Sequence, residues 1–214
     1  MCYSAQIEAD YRRYVRDFGA ELDIKEFYEL FWRRLGEPKI KIPKAMAAAF
    51  AETVTDAELK IREAIDSFAA SETVKLEQMM FEQRKRLADA ERTLQTKPTK
   101  AAANSQRIAT DKVAWAMGKL SDLKRLELVD VDSRIFPTHY APLMVMENGK
   151  RVVRPMRYRC RPAGKPAFYD TKFPGTYNAR RDNLEGFWKG QFGVSHAVLV
   201  ANTFYENVNR HRAE

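Results

Sequence analysis

Up to about Val129 the apolar residues recur at steps of three and four, the spacing of one helix face; beyond it they gather into short runs broken by Pro, Gly and turn residues. Residues 2–7 read as a short extended start. Phe27, Leu30, Phe31 and Leu35 predict a helix over residues 24–35, with Asp23 as its cap and Gly36 as its stop. The stretch from Pro38 to Pro43 is a break, followed by a second helical stretch from Ala45 through Phe50. Thr55, with Glu58 three residues later, forms a capping-box pattern that opens a long helix. Along it Ile61, Ile65, Phe68, Leu76, Met79 or Met80, Leu87, Ala90 and Leu94 draw one apolar stripe on a charged rod. Lys97-Pro98-Thr99 ends the rod, and Ile108, Trp115, Leu120, Leu123 and Leu126 carry a further stripe to about Glu127. Two such helices joined by a short Pro-containing loop predict an antiparallel hairpin packed within the chain. A partner-binding or dimerising coiled coil is the alternative, although Glu72 and Gln83 interrupt its heptad.

In the C-terminal part, residues 143–146, 152–153 and 197–200 are strand-like, and Glu147-Asn148-Gly149-Lys150 carries the Asn-Gly signal of a tight hairpin. The expected fold class is therefore α+β, with a helical block containing a long helical hairpin followed by a β-rich part, the texture changing near Asp130. A length of 214 residues and a hydrophobic content of 45% support a substantial core, while 31% charged residues and no apolar run of 18 argue against a membrane span. The start of the chain has no basic flank before an apolar segment, so no signal peptide is expected. Cys2 and Cys160 are too few for a disulfide framework or a structural zinc site; no metal or other cofactor is expected, and a reducing cytoplasmic, nucleoid-associated location fits.

The net charge of +8 is concentrated: between Gly149 and Gly190 eleven basic residues face Asp170, Asp182 and Glu185 alone, and the remainder of the chain balances. Tyr158, Phe168, Tyr169, Phe173, Tyr177, Phe187 and Trp188 alternate with these charges. Cations interleaved with aromatic rings suit phosphate neutralisation and base stacking on a single strand. They equally suit a solvated strand face whose rings enter a core.

The chemistry-bearing stretch is Met1-Cys2-Tyr3-Ser4. Removal of Met1 leaves Cys2 with an amine and a thiol on one residue, a β-aminothiol that condenses with an aldehyde to an imine and closes to a thiazolidine without metal or cofactor. An α-amine near ~7.7–8 and a thiol near ~8.5 suit that reaction to neutral pH. It also needs a proton donor for the departing hydroxyl and an anchor for an anionic strand, roles that fit a carboxylic acid and an arginine.

Met1-Cys2, Phe136-Pro137-Thr138-His139-Tyr140-Ala141-Pro142 leading into an apolar strand, Asn178-Ala179-Arg180, and Ala201-Asn202-Thr203-Phe204-Tyr205-Glu206 together resemble the SOS response-associated peptidase (SRAP) family in order and spacing. The resemblance covers residues 1–7 and about 134–210. It implies residues 1–7 as the catalytic N-terminal strand of a barrel-type SRAP-like part, residues 8–129 as a helical block outside the family pattern, and residues 130–214 as the β-rich remainder. It further implies a DNA-damage response protein that removes its own Met1 as an autopeptidase, binds single-stranded DNA, and crosslinks abasic sites to Cys2 as a thiazolidine. Asn178 would orient the Cys2 end, Glu206 would act as acid and base, and Arg180, beside Arg181, would hold DNA phosphate. Without the family, Asn178 is a turn residue, Arg180-Arg181 a surface pair and Glu206 a strand-end carboxylate; flanked by Phe204 and Tyr205, Glu206 is expected to be partly desolvated.

The chain departs from the pattern at Tyr3 and Ser4, where most members have Gly and Arg, and at Asn207, where Trp is usual. It ends at Glu214, before the family's further strands and His-containing motif, so the barrel is expected to be incomplete. His139, His196 and His211 do not occupy that motif's context and are read as structural, as is Cys160. The alternative function is a non-catalytic nucleic-acid-binding or helical interaction module with Cys2 incidental. The helical block would then recruit a protein partner, or the chain would be a structural hairpin with a solvated basic tail.

Overall fold

In the computed structural model the residues described are 2–162 and 164–206; Met1, Asn207 and His211 lie outside them. The chain forms two compact units: one joins the residues up to Ala64 with those from Leu128 onward, and the other is Ile65–Glu127.

In the first unit, strand β1 (Cys2–Ile7) leads to helix α1 (Tyr11–Phe18) and a short strand β2 (Glu21–Leu22). Helices α2 (Ile24–Gly36) and α3 (Lys44–Ala48) follow. Local chemistry sets their ends. Asp10 accepts from the Arg12 amide at 2.9 Å, and Gly19 closes α1 in a left-handed conformation that its missing Cβ permits. Asp23 caps α2 by accepting from the Glu26 amide at 3.2 Å, as the sequence predicts. The buried faces of these helices meet in an aromatic cluster. Phe50 stacks on Tyr11 at 4.9 Å and packs against Phe27 and Phe31 at 5.6 and 5.7 Å.

Strands β3 (Arg134–Ile135), β4 (Tyr140–Glu147), β5 (Lys150–Arg157) and β6 (Ala201–Glu206) complete the first unit. They form two three-stranded sheets, ordered β3-β1-β6 and β2-β5-β4. The β4–β5 hairpin turns at Asn148 and Gly149, both with positive φ, which is the backbone that an Asn-Gly pair adopts most readily. The expected barrel does not close among the described residues: the sheets stay open, with two-residue strands β3 and β2 on their edges, too short to carry a continuous ladder around a barrel. The fully buried Tyr14 ties α1 to the second sheet, its hydroxyl donating to the Pro142 carbonyl at 3.1 Å.

Helix α4 (Asp56–Thr96) starts at the expected capping box: the Thr55 amide donates to Glu58 Oε2 at 3.0 Å and the Glu58 amide to Thr55 Oγ1 at 3.3 Å. Beyond Ala64 it enters the second unit, a hairpin with α5 (Lys100–Lys124), whose cap is Thr99. The predicted α4 stripe is buried or half-buried along its length, and Glu72 and Gln83 are half-buried with it. On α5 the outcome differs. The buried residues are Ala102, Ala109 and Ala116, spaced by seven, whereas Trp115 of the predicted stripe is 52% exposed and Leu126, beyond the helix, is 94% exposed. The most buried positions thus carry small side chains, while Ile108, Leu120 and Leu123 of the predicted stripe are half-buried.

Candidate functional site

The site is built from three pieces of chain. The first is the antiparallel pairing of β1 with β6, in which Cys2 stands opposite Glu206 and Ser4 opposite Tyr205. Tyr3 lies between those pairs on β1 with no residue between them on β6, so it is the extra residue of a β-bulge. Arg134 of β3 rivets this strand: its Nε and Nη2 donate to the buried Ser4 Oγ at 3.1 and 3.0 Å, and its guanidinium lies 3.9 Å over the Tyr205 ring. The second piece is the segment after β5, from Tyr158 through helix α6 (Tyr169–Lys172) to Tyr177, and the third is residues 178–182.

An open cleft of about 1070 Å³ is lined by Tyr158, Tyr177, Asn178, Arg180, Arg181 and Glu206, with Ala179 and Asp182. The structure thus brings Glu206 to the neighbouring Asn178, Arg180 and Arg181, and the backbone of Cys2 joins them through its pairing with Glu206. Glu206 is exposed rather than partly desolvated, because among the described residues β6 is an edge strand paired with β1 alone, and Phe204 near it is exposed as well. Arg180 grips Asp182 through two parallel hydrogen bonds, Nε to Oδ1 at 3.1 Å and Nη2 to Oδ2 at 3.0 Å. Both side chains face solvent, so the pair contributes at most about 1 kcal/mol.

Much of the basic segment is engaged elsewhere. Arg154 pairs with Asp23, Glu26 and Glu147, Lys150 with Glu21, and Arg151 donates to the Phe18 carbonyl at 2.7 Å. Arg157, Arg159 and Arg161 converge on one buried carboxylate, Asp170, which anchors α6 and the loop leading to Tyr177. Arg159 also donates to the Phe173 carbonyl at 3.1 Å. Asp170 was legible as one of three acids among eleven bases but carries no motif; its role appears only when three arginines are seen to share it. Asp170→Ala is expected to lower stability by about 3 kcal/mol, because Arg159 is left buried without its counter-charge while Arg157 and Arg161 remain a third exposed. Urea unfolding followed by tryptophan fluorescence measures it.

The histidines among the described residues stand outside the cleft. His139 packs edge-on to Phe136 at 5.6 Å, and burial, reinforced by Lys41, holds its imidazole below the usual range and therefore neutral at pH 7. His196 Nε2 accepts from the Gly193 amide at 2.9 Å. Burial pushes the thiol of the half-buried Cys160 up, with the Ala179 amide acting against it. No group of His, Cys, Asp and Glu suited to a metal ion occurs among the described residues, and none of their helices is long and apolar enough to cross a membrane.

The fold and cleft define an α+β protein whose N-terminal strand borders a cleft bearing an amide, two arginines and a carboxylate. Comparison with family models, curated proteins and solved structures finds no match.

Proposed function

We propose that this chain is a SRAP-like DNA-damage response protein that removes Met1, binds single-stranded DNA in the cleft and traps abasic sites covalently through Cys2. The observation that carries this reading is the register of β1 against β6, which sets Cys2 opposite Glu206 at a cleft shared with Asn178 and Arg180. On this reading the two open sheets correspond to part of a barrel-type core. The Cys2 amine adds to the aldehyde carbon of the ring-opened sugar, and loss of one water gives an imine. The thiol sulfur then adds to the imine carbon while the nitrogen takes up a proton. The ring closes with no change of oxidation state. Glu206 delivers the proton that leaves with the hydroxyl, Asn178 orients the strand end, and Arg180 exchanges Asp182 for a phosphate of the bound strand.

The test is incubation of the purified chain with an oligonucleotide containing one abasic site, followed by a denaturing gel. A heat-stable shifted band is expected, absent with an undamaged strand or an aldehyde capped by methoxyamine. No band from a chain whose intact mass shows Cys2 as its first residue overturns the proposal, and salt-sensitive binding alone would identify a non-catalytic nucleic-acid module. Arg180→Ala is expected to weaken binding to single strands and to reduce the slope of log K against log salt by about 0.7, the value for one phosphate contact on single strands. Fluorescence anisotropy at several salt concentrations measures it.

A further inference from the structure

We infer that the bulged residue Tyr3 forms, with Phe136 and Tyr177, a stacking platform for an unpaired nucleobase next to the trapped aldehyde, and that this platform selects aldehydes carried on a base-bearing strand. The inference rests on the proposed trapping function and adds to it the feature of the substrate that is recognised. Within β1, Ser4 is fully buried and Ala5 nearly so, whereas Tyr3 is 45% exposed although it lies between Cys2 and those two residues. An ordinary strand at this place would alternate its side chains between the two faces. The extra residue in the ladder breaks that alternation and re-aims one side chain, a known use of bulges beside active sites.

The ring is held where the bulge sends it. It meets Phe136 at 5.7 Å with an interplanar angle of 68° and Tyr177 at 6.4 Å with 84°, both edge contacts. Tyr177 in turn meets Tyr158 at 6.3 Å, and both line the cleft with Arg180 and Glu206. Arg134 stands 5.1 Å over the Phe136 ring and so fixes the far end of the row. A row of rings braced by edge contacts and bordered by cationic side chains matches a nucleotide chain in both respects: π-faces for the bases and positive charge for the phosphates. It offers nothing comparable to a small, base-free sugar aldehyde. Stacking of one base on an aromatic side chain contributes ~1–3 kcal/mol, which corresponds to about 5- to 140-fold in affinity.

The test has two arms, both on the full chain. In the first, oligonucleotides carry 2-aminopurine beside either an abasic site or an ordinary base, and quenching of its fluorescence on binding is read in the wild type, Tyr3→Phe and Tyr3→Leu. Quenching by the wild type and Tyr3→Phe, and its loss in Tyr3→Leu, is expected. In the second, crosslinking rates are compared for abasic sites flanked by adenines and by base-free tetrahydrofuran residues. The wild type is expected to favour the adenine-flanked site by about 5- to 140-fold, and Tyr3→Leu to lose most of that preference. Equal quenching in all three proteins, or a Tyr3→Leu rate that falls by the same factor on both oligonucleotides, overturns the inference and leaves the trapping function standing. Absence of crosslinking throughout overturns the trapping function, while the quenching arm still decides whether the platform stacks a base.

Discussion

Cys2→Ser is expected to abolish the heat-stable crosslink to an abasic oligonucleotide while retaining a linkage that only borohydride makes permanent. Once Met1 is removed, which an intact mass checks, serine at position 2 still carries the N-terminal amine. That amine still condenses with the aldehyde, losing one water to give an imine. What is lost is the sulfur. A hydroxyl adds poorly to the imine carbon, so the imine persists in equilibrium with free aldehyde and hydrolyses on heating. Borohydride supplies a hydride to the imine carbon and converts the C=N bond to a stable secondary amine. The expected gel therefore shows a wild-type band with or without reductant, and a Cys2→Ser band with reductant only. The wild-type rate is also expected to fall about tenfold per pH unit below ~7.7, because only the neutral amine attacks. A Cys2→Ser band that survives heating without reductant would exclude the thiazolidine.

Glu206→Gln is expected to slow crosslinking by about 10²- to 10³-fold under single-turnover conditions, within the range that positioned acid–base groups contribute. Glutamine keeps the length of the side chain and its hydrogen-bonding oxygen but cannot hand a proton to the departing hydroxyl. Glu206 stands opposite Cys2 across the β1–β6 ladder, so one register holds both groups of the proposed reaction. Glu206→Asp keeps the carboxylate one methylene further back and is expected to recover part of the rate. Binding of undamaged strands, measured by anisotropy, is expected to change little, since the proposal gives the phosphate contacts to Arg180 and Arg181. A Glu206→Gln rate within about threefold of the wild type, below any loss expected of a proton-transfer group, would remove the carboxylate from the reaction.

The long helix was legible because two local signals agree. The Thr55–Glu58 capping box fixes its start, and the stripe from Ile61 to Leu94 fixes the face that is covered. The Asn148-Gly149 turn was legible for the same kind of reason: both residues tolerate positive φ, and apolar runs flank them. The α5 stripe was legible in part: Ile108, Leu120 and Leu123 are half-buried, whereas Trp115 is exposed and its small neighbour Ala116 is buried, a choice that hydrophobicity alone does not make. The basic segment was open, on sequence alone, between a phosphate surface and a solvated strand face. Acids distant in sequence, Glu21, Asp23, Glu26 and Glu147, neutralise its first part, and Asp170 gathers three more of its arginines.

The sequence by itself determined the helical and β-rich textures, the caps, the hairpin turn and the chemical repertoire of Cys2, Asn178, Arg180 and Glu206, because each depends on a residue and its near neighbours. Only the tertiary structure decided which arginines remain at the cleft, that Tyr3 is the extra residue of a bulge, and that Cys2 stands opposite Glu206. Those outcomes depend on strand register and on ion pairs between segments more than a hundred residues apart, such as Lys150 with Glu21, and such pairings leave no periodic trace along the chain.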